Sequence, residues 1–539
     1  MIRRPAAIIA ALCFLAQAAA ADPVIVSVTV TAQTSGPVSG RLLIFAEPLA
    51  AAKAEAKGGP IQDVDSRFTN PQGTAIAARE VRDLAPGATV ELDADSFAFP
   101  QAFSKLPPGA YAVQAVLDVN HHYAYAGREA GDLVSPVTEM NLPAGGALTL
   151  SETLPPEADP WTLPADAPAD VKARYAAARA NTQPLDFISP VLSAFWGRLI
   201  HMRGWVLPPP GYAADSGKRY PTVYFTHGFG GTYRSLTGWA AYLDHAMADG
   251  SVPPMIWVLL DESSPTGTHE FTDSVNNGPW GEALTTELIP SLERSWRMDG
   301  RASGRFLNGH SSGGWATLWL QTCYPKVFGG TWSTSPDPSD FHDFTGVDLY
   351  APGANIYRRG DGSPYPIVRD HAKVLANMED FARIEAVEGA YGGQMSSFDW
   401  VFSPRGPDGR PVPMFDRVTG AVDPTVVAYW RDNYDIAHCV ARDWPQLKPD
   451  LDGRIHLIVG TADTFYLDGA AHRLKAVLDG LGAKSDFRFL PDRTHFDLYQ
   501  AGDDHRAMIK QIAWEMYAVA RPGSQPPAGS QQPPSAPPR

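Results

Sequence analysis

The five residues 309–313 carry the first sign of chemistry in this chain of 539 residues. They read Gly-His-Ser-Ser-Gly, which fits the pattern G-x-S-x-G and puts Ser311 at its centre. A short apolar strand is predicted over 305–307 and a helix over 313–322, so the serine stands on the turn between them. A tight turn exposes the hydroxyl, and a neighbouring base can activate it as a nucleophile toward a carbonyl carbon.

A candidate acid and a candidate base follow Ser311 in the chain order acid, then histidine. Residues 454–460 predict a buried strand, and Asp463 lies on the loop after it. Residues 487–490 predict another strand, and the next loop carries His495. Because parallel strands end at one edge of a sheet, we expect the three side chains to meet there.

Further candidates surround these three residues. Asp468 is an alternative acid, although Asp463 is favoured because it lies nearer the end of its strand. The backbone N–H groups of Phe229, in a glycine-rich loop, and of Ser312 are expected to form an oxyanion hole. His227 precedes that loop and is expected to orient it rather than to act as the base. The candidate substrate contacts are His227, Gly228, His310, Trp280 and Trp400.

These residue types together predict acyl transfer. His495 would take the Ser311 proton, Asp463 would hold the imidazole, and water would hydrolyse the acyl-enzyme. No organic cofactor and no catalytic metal is expected, because the three side chains supply the nucleophile, the base and the electrostatics. The sequence also contains no HExxH pattern, which is typical of zinc hydrolases.

Residues from about 190 to 515 resemble the putative esterase family of α/β-hydrolases, the esterase D-like group that includes enterochelin and feruloyl esterases. The stretches that carry the resemblance are YPTVYFTHGFGG (220–231), ELIPSLERSW (287–296), GRFLNGHSSGGWATLWLQTCYPKVFGGTWSTSP (304–336), GTADTFY (460–466) and DRTHFD (492–497). The resemblance implies Ser311, Asp463 and His495 as the triad and leaves the substrate open. A long segment between Ser335 and Asp452 departs from the compact members.

The first 21 residues predict a secretory signal. Two arginines precede an apolar run from Ala6 to Leu15, and small residues follow. We expect the mature protein to begin near Ala21 or Asp22 and to be periplasmic or secreted, with no membrane span. The formal net charge of −15 disfavours nucleic acid and anionic membranes as partners. Beyond the signal, Cys323 and Cys439 could form a disulfide or remain two buried thiols.

The composition changes along the chain and predicts several units. Residues 22–155 contain short β-branched strands with turn signals and predict an all-β sandwich. Residues 156–189 are proline-rich around one helical run and predict a linker. An α/β-hydrolase domain with a mostly parallel sheet is expected over 190–520. Residues 521–539 predict a disordered proline-rich tail.

A cap-like insertion is expected over residues 336–450 of the hydrolase domain. Its aromatic residues, Trp400 among them, would line the substrate pocket or would form the core of the insertion itself. Trp280, in a loop on the opposite side, is expected to face the substrate.

The function favoured by these features is an exported serine carboxylic ester hydrolase that acts on feruloyl- or acetyl-type esters of small or polymer-linked substrates. A siderophore-lactone esterase or a serine peptidase of the same fold is an alternative, and a non-catalytic carbohydrate-binding protein is a third. The sequence leaves open the acyl and alcohol groups, the oligomeric state and the role of the amino-terminal domain.

Overall fold

The computed structural model describes residues 22–31, 33–214 and 217–526. The predicted signal over 1–21 and most of the predicted tail lie outside these residues. Within them, no helix is both long and apolar enough to cross a bilayer.

The amino-terminal part folds into two packed β-sheets. One has three strands in the order β4-β1-β9, and the other has the order β10-β7-β6-β2-β3-β5, with β8 also pairing with β6. The elements are β1 (Ile25–Val30), β2 (Val38–Pro48), α1 (Leu49–Glu55), β3 (Ala75–Leu84), β4 (Thr89–Asp93), β5 (Ala98–Phe99), β6 (Gly109–Asp118), α2 (Tyr123–Ala126), β7 (Leu133–Val134), β8 (Thr138–Leu142), β9 (Gly146–Leu150) and β10 (Glu152–Thr153).

Alternating side chains explain this sandwich. In β1, Val26, Val28 and Val30 are fully buried, whereas the residues between them are more exposed. One face of each sheet therefore supplies the core between the sheets. The other face of the larger sheet is also covered, because Phe45 and Val116 pack with Val387 of the second domain.

The second part is built on an eight-stranded sheet in the order β11-β12-β14-β13-β19-β20-β23-β24. The strands from β14 to β24 in this order are parallel to one another. At the other edge, β12 is antiparallel to β14, and β11 is antiparallel to β12. The main strands are β11 (Gln183–Ile188), β12 (His201–Leu207), β13 (Thr222–Thr226), β14 (Ile256–Leu260), β19 (Arg305–His310), β20 (Gly330–Thr334), β23 (Ile455–Gly460) and β24 (Ser485–Leu490), and the small hairpins are β15 (Ser263–Ser264) with β16 (Gly267–Thr268), β17 (Asp273–Ser274) with β18 (Gly278–Pro279), and β21 (Pro366–Asp370) with β22 (Lys373–Asn377).

The central strands of this sheet are buried along their whole length, because helices cover both of its faces. The helices are α3 (Ala169–Asn181), α4 (Pro190–Trp196), α5 (Thr237–Ala248), α6 (Trp280–Glu282), α7 (Ile289–Ser295), α8 (Ser312–Cys323), α9 (Met378–Glu388), α10 (Gln394–Phe402), α11 (Pro424–Tyr434), α12 (Ile436–Leu451), α13 (Leu467–Gly480) and α14 (Met508–Ala520), with a π-helical turn at Ala283–Leu288. The α/β fold class, with a β-rich amino-terminal region, is confirmed.

Residues 156–189 are not a free linker. They contain α3, which packs on α5, and β11, which is the edge strand of the large sheet. The helical run expected in this segment is α3, whereas β11 was not expected, because it contains Pro184 near its start. The catalytic part therefore includes most of the segment expected to connect the domains.

The insertion between β20 and β23 contains β21, β22 and the helices α9 to α12. Most of its large aromatic side chains, such as Phe402 and Trp430, are buried together with Trp315 of α8. They form the core of the insertion, while a smaller apolar set on α9 and α10 faces the cavity described below.

Candidate active site

Ser311 lies on a strained turn between β19 and α8. Its backbone has φ 61° and ψ −127°, a conformation that L-residues rarely adopt and that costs about 1–3 kcal/mol. Its N–H donates to the carbonyl of Thr334 at 3.0 Å, and its carbonyl accepts from the N–H of Trp315 at 3.0 Å. These bonds fix the turn, and Ser311 lines a cavity that residues of both domains enclose.

Two glycines allow the backbone to close around this turn. A Cβ on Gly228 would lie 2.9 Å from the Cβ of Ser311, and a Cβ on Gly313 would lie 2.3 Å from the carbonyl oxygen of His227. Larger residues at either position would force the segments apart. The glycine-rich loop after β13 is therefore in direct contact with the serine turn.

His495 and Asp463 form a buried pair at the ends of β24 and β23. The Nδ1 of His495 lies 2.9 Å from the Oδ2 of Asp463, and both side chains are almost fully buried. The loop position of each residue follows from the strand that precedes it. The rival acid, Asp468, instead forms an ion pair with Arg369 at 3.0 Å.

Asp463 is held in its ionised form. Burial acts to raise the pKa of Asp463, but the charge and hydrogen bond of His495, with an N–H from Phe465 at 2.9 Å, bring that pKa below its usual value. A permanent carboxylate can fix the histidine tautomer and stabilise an imidazolium. Among the described residues, no hydrogen bond joins the Ser311 hydroxyl to His495, a contact that often tightens only with substrate.

His227 belongs to a second buried pair beside the same serine. Its Nε2 lies 3.0 Å from the Oδ1 of Asp261, and its Nδ1 donates to the carbonyl of Gly228 at 2.8 Å. Burial acts to lower the pKa of His227, but the hydrogen bond and charge of Asp261 outweigh it and raise that pKa. Both nitrogens are therefore occupied, and one of them is hydrogen-bonded to the glycine loop that His227 was expected to orient.

His310 also lines the cavity but contributes no charge. Burial, helped by the neighbouring His495, lowers the pKa of His310 to about 3. Its ring centroid lies 4.4 Å from that of His495, and its Nδ1 contacts the hydroxyl of Thr334 at 3.1 Å. The neutral His310 ring therefore packs against the ring of His495.

The two expected oxyanion donors belong to the segments that meet at the serine turn. Ser312 is the first residue of α8, so its N–H has no carbonyl partner within the helix. Its hydroxyl donates to Asp337 at 2.7 Å, and burial raises the pKa of that carboxyl to about 6. Phe229 lines the cavity on the opposite loop.

The amino-terminal domain braces this loop. The hydroxyl of Tyr125 donates to the carbonyl of Gly231 at 2.6 Å, and the Tyr125 ring packs edge-on against Phe229 with centroids 4.9 Å apart. A residue of the amino-terminal domain thus contacts the segment that is expected to supply an oxyanion donor.

The cavity that holds Ser311 and His495 has a volume of about 1030 Å³. Phe68 reaches it from the sandwich and lies 6.2 Å from Phe465 and 6.4 Å from Phe496, between ring centroids. Phe465 packs on the His495 ring at 4.9 Å. Phe68 and Phe496 remain 45% and 69% exposed, so they form an apolar rim beside the base that solvent or substrate can reach.

Ionisable side chains of both kinds also line the cavity. Glu385 and Glu388 project from α9, and burial raises their pKa values to about 7 and about 8. Ser66 of the sandwich donates to Glu388. Arg506 lies over the ring of Trp239, with 5.0 Å between the guanidinium carbon and the ring centroid.

Trp280 and Trp400 do not line this cavity, contrary to expectation. Both line a neighbouring cavity of about 970 Å³ between the two domains. Trp280 is buried and stacks on His269 with centroids 3.6 Å apart, and its Nε1 donates to Asn277. The loop that carries Trp280 folds back onto the domain, so the ring serves packing at a distance from Ser311.

One group of possible metal ligands occurs among the described residues, formed by Asp340, His342 and Asp435. Both carboxylates already accept local hydrogen bonds. Asp435 lies at the start of α12, where it accepts from the N–H of His438. It also accepts from the N–H of Phe341. Asp340 accepts from the backbone N–H of His342. These bonds account for the cluster as a helix cap and turn.

A family model described as "Putative esterase" matches residues 200–480, which is more than half of the chain. The matched segment contains the serine turn and Asp463, and it ends before His495.

The chain belongs to the putative esterase family.

The esterase is also similar to solved structures. A ferulic acid esterase is 14% identical, covers 63% of this chain and 98% of its own, and has a TM-score of 0.39. The fluorophosphonate-binding serine hydrolase F of Staphylococcus aureus is 12% identical, with 62% and 97% covered and a TM-score of 0.36. An S-formylglutathione hydrolase from Agrobacterium tumefaciens is 13% identical, with 63% and 94% covered and a TM-score of 0.36.

Sequence reasoning missed several residues that line the cavity of this esterase. Phe465 and Phe496 each lie within two residues of a predicted triad member, and their positions could have been a signal. No local signal marked Phe68 or Glu388, because each lies far in sequence from the predicted triad and reaches the site only through the tertiary fold.

Proposed function

We propose that this esterase hydrolyses carboxylic esters through an acyl-enzyme on Ser311, with His495 as base and Asp463 as its partner. One observation supports this above all: a histidine that is paired with a buried carboxylate lines the same cavity as a serine on a strained strand-to-helix turn. The three residues come from different loops at the same edge of the sheet. Serine esterase chemistry requires this combination of groups.

The proposed reaction runs in two halves. The Ser311 Oγ attacks the ester carbonyl carbon while Nε2 of His495 takes its proton, and the N–H groups of Phe229 and Ser312 stabilise the oxyanion. The imidazolium then gives its proton to the leaving alcohol as the C–O bond breaks. In the second half water adds to the acyl carbon, His495 takes its proton, and Ser311 leaves with that proton as the free acid forms.

Substrates with an aromatic or long apolar group are favoured by the shape of the site. Phe68, Phe465 and Phe496 form an apolar rim next to His495, and Phe381 and Phe398 line the deeper wall. Burying such a group contributes about 25 cal/mol per Å² of apolar surface. We infer a preference for cinnamate-type esters over acetyl esters.

The test uses p-nitrophenyl acetate and methyl cinnamate esters with the full chain and its Ser311→Ala variant. We expect at least about a 10⁴-fold loss of kcat in the variant, with an unchanged melting temperature. A fluorophosphonate probe should label Ser311 in the parent protein only, as located by peptide mass spectrometry. Hydrolysis that survives the substitution would contradict the assignment of Ser311.

A further inference from the structure

Arg506 is a cation without an anionic partner inside the catalytic cavity. It lies just before α14, is partly buried, and lines the same cavity as Ser311. Among the described residues, its guanidinium forms no ion pair and no hydrogen bond with the protein. Its neighbours are the rings of Trp239 and Tyr242, with the guanidinium carbon 5.0 Å and 5.9 Å from their centroids.

The carboxylate of Asp504 accepts from the backbone N–H of Arg506 at 2.9 Å and forms no hydrogen bond with its guanidinium. The Oδ2 of Asp504 accepts from the ammonium of Lys510 at 2.9 Å and from the hydroxyl of Tyr242 at 2.8 Å. Burial lowers the pKa of Arg506, because the guanidinium has lost water without gaining a strong counter-charge. A partly desolvated cation of this kind is stabilised when a ligand brings an anion.

Aromatic rings separate this cation from the reacting groups. Trp239 packs on Tyr499 with centroids 5.5 Å apart, Tyr499 packs on His310 at 5.6 Å, and His310 packs on His495 at 4.4 Å. A ligand group at Arg506 must therefore be several bonds away from a carbonyl at Ser311.

We propose that Arg506 binds a carboxylate of the ester substrate that lies several bonds from the scissile carbonyl, an inference that rests on the proposed ester hydrolysis at Ser311. The planar guanidinium fork matches a carboxylate in two parallel hydrogen bonds, and the Trp239 ring fixes the plane of the fork. The substrate class is thus a half-ester of a dicarboxylic acid, or the ester of an alcohol that carries a carboxylate.

The experiment compares matched anionic and neutral esters. One pair is p-nitrophenyl hydrogen suberate and its methyl-capped form, a second is the corresponding succinate pair, and a third is 6-acetoxyhexanoate with its methyl ester. We expect kcat/KM for one of the longer anionic esters to exceed that of its capped form about 10- to 100-fold. The succinate pair should show a smaller ratio, because its carboxylate is too close to the carbonyl.

The variants Arg506→Met and Arg506→Lys test the residue itself. The methionine should remove most of the anion preference by raising KM for the anionic ester, and it should affect the neutral ester much less. The lysine should restore part of the preference. Arg410→Gln is the matched control, because Arg410 also lies over a ring, at 5.8 Å from Tyr391, but lines the neighbouring cavities.

Two results would overturn the inference. One is equal kcat/KM for every anionic and capped pair in the parent protein, and the other is an equal loss on both esters in Arg506→Met. If the folded protein hydrolyses none of these esters, the proposed function fails on its own. Calorimetric titration of suberate against dimethyl suberate then still decides whether Arg506 binds a carboxylate.

Discussion

Two histidine–carboxylate pairs lie beside Ser311, and their geometry is nearly the same. His495 and Asp463 are 2.9 Å apart, and His227 and Asp261 are 3.0 Å apart. Both pairs are largely buried, and both histidines follow a strand of the parallel sheet.

The two pairs differ at the second ring nitrogen of the histidine. In His227 it donates to the carbonyl of Gly228, whereas in His495 no described protein group hydrogen-bonds Nε2. A general base needs a free nitrogen next to the nucleophile, and an anchor needs both nitrogens occupied. A buried histidine beside a carboxylate is therefore not sufficient evidence for a catalytic base.

The sharpest way to break this comparison is to remove each histidine in turn. His495→Ala should lower kcat on p-nitrophenyl esters by about 10⁶-fold, because base and acid are lost together. His227→Ala should cost only about 100-fold, through movement of the oxyanion loop. Both substitutions leave a buried carboxylate without its partner and should lower the melting temperature, so kcat is compared at a temperature where each variant is folded. Equal losses of activity from both substitutions would erase the distinction.

The acids provide a second comparison. Asp463→Asn should reduce kcat by about 10⁴-fold, since an amide cannot fix the tautomer or stabilise the imidazolium. Asp261→Asn should have a far smaller effect on kcat. The control is Asp468→Asn, because Asp468 pairs with Arg369 rather than with His495 and should keep near-parental activity. Steady-state kinetics at one pH suffice, and a larger loss at position 468 than at 463 would reverse the assignment of the acid.

The smallest effect is expected on the free energy of unfolding, and it concerns Glu262, which follows Asp261 in the chain. Burial raises the pKa of Glu262 to about 8, well above that of an exposed glutamate. The folded state therefore holds a proton that the unfolded state releases, and this stabilisation is present below about pH 4.5 and is lost as the pH rises toward 8.

Glu262→Gln should remove that part of the pH dependence. The free energy of unfolding of the parent should fall between pH 5 and 8, and the variant should lessen this slope by up to about 1.4 kcal/mol per pH unit. Urea unfolding of parent and variant at four pH values measures this slope. Parallel curves for parent and variant would mean that Glu262 is already ionised at pH 5.

The placement of Ser311, Asp463 and His495 was largely predictable from the sequence, because each residue is tied to a local signal. The glycine pattern places Ser311 on its turn, and the strand before each loop places Asp463 and His495 at the same sheet edge. These signals depend on residues within about ten positions of the functional group, and secondary structure transmits them directly.

The walls of the cavity were not predictable in the same way. Trp280 and Trp400 were expected there because they are aromatic, but their backbone carries them to the neighbouring cavity. Phe68, Tyr125 and Arg506 reach the catalytic cavity or its oxyanion loop only through domain packing and the carboxy-terminal turn. Such contacts join residues hundreds of positions apart, and no local pattern encodes them.

The hydrogen bond from Tyr125 to Gly231 makes the amino-terminal sandwich a structural part of the esterase site. Excising the hydrolase segment would therefore remove a brace and one wall, even though every triad residue would remain. During synthesis the sandwich leaves the ribosome before His495 does. Hydrolytic activity in this molecule thus reports on completed assembly of both domains, and it can serve as an assay for interdomain docking.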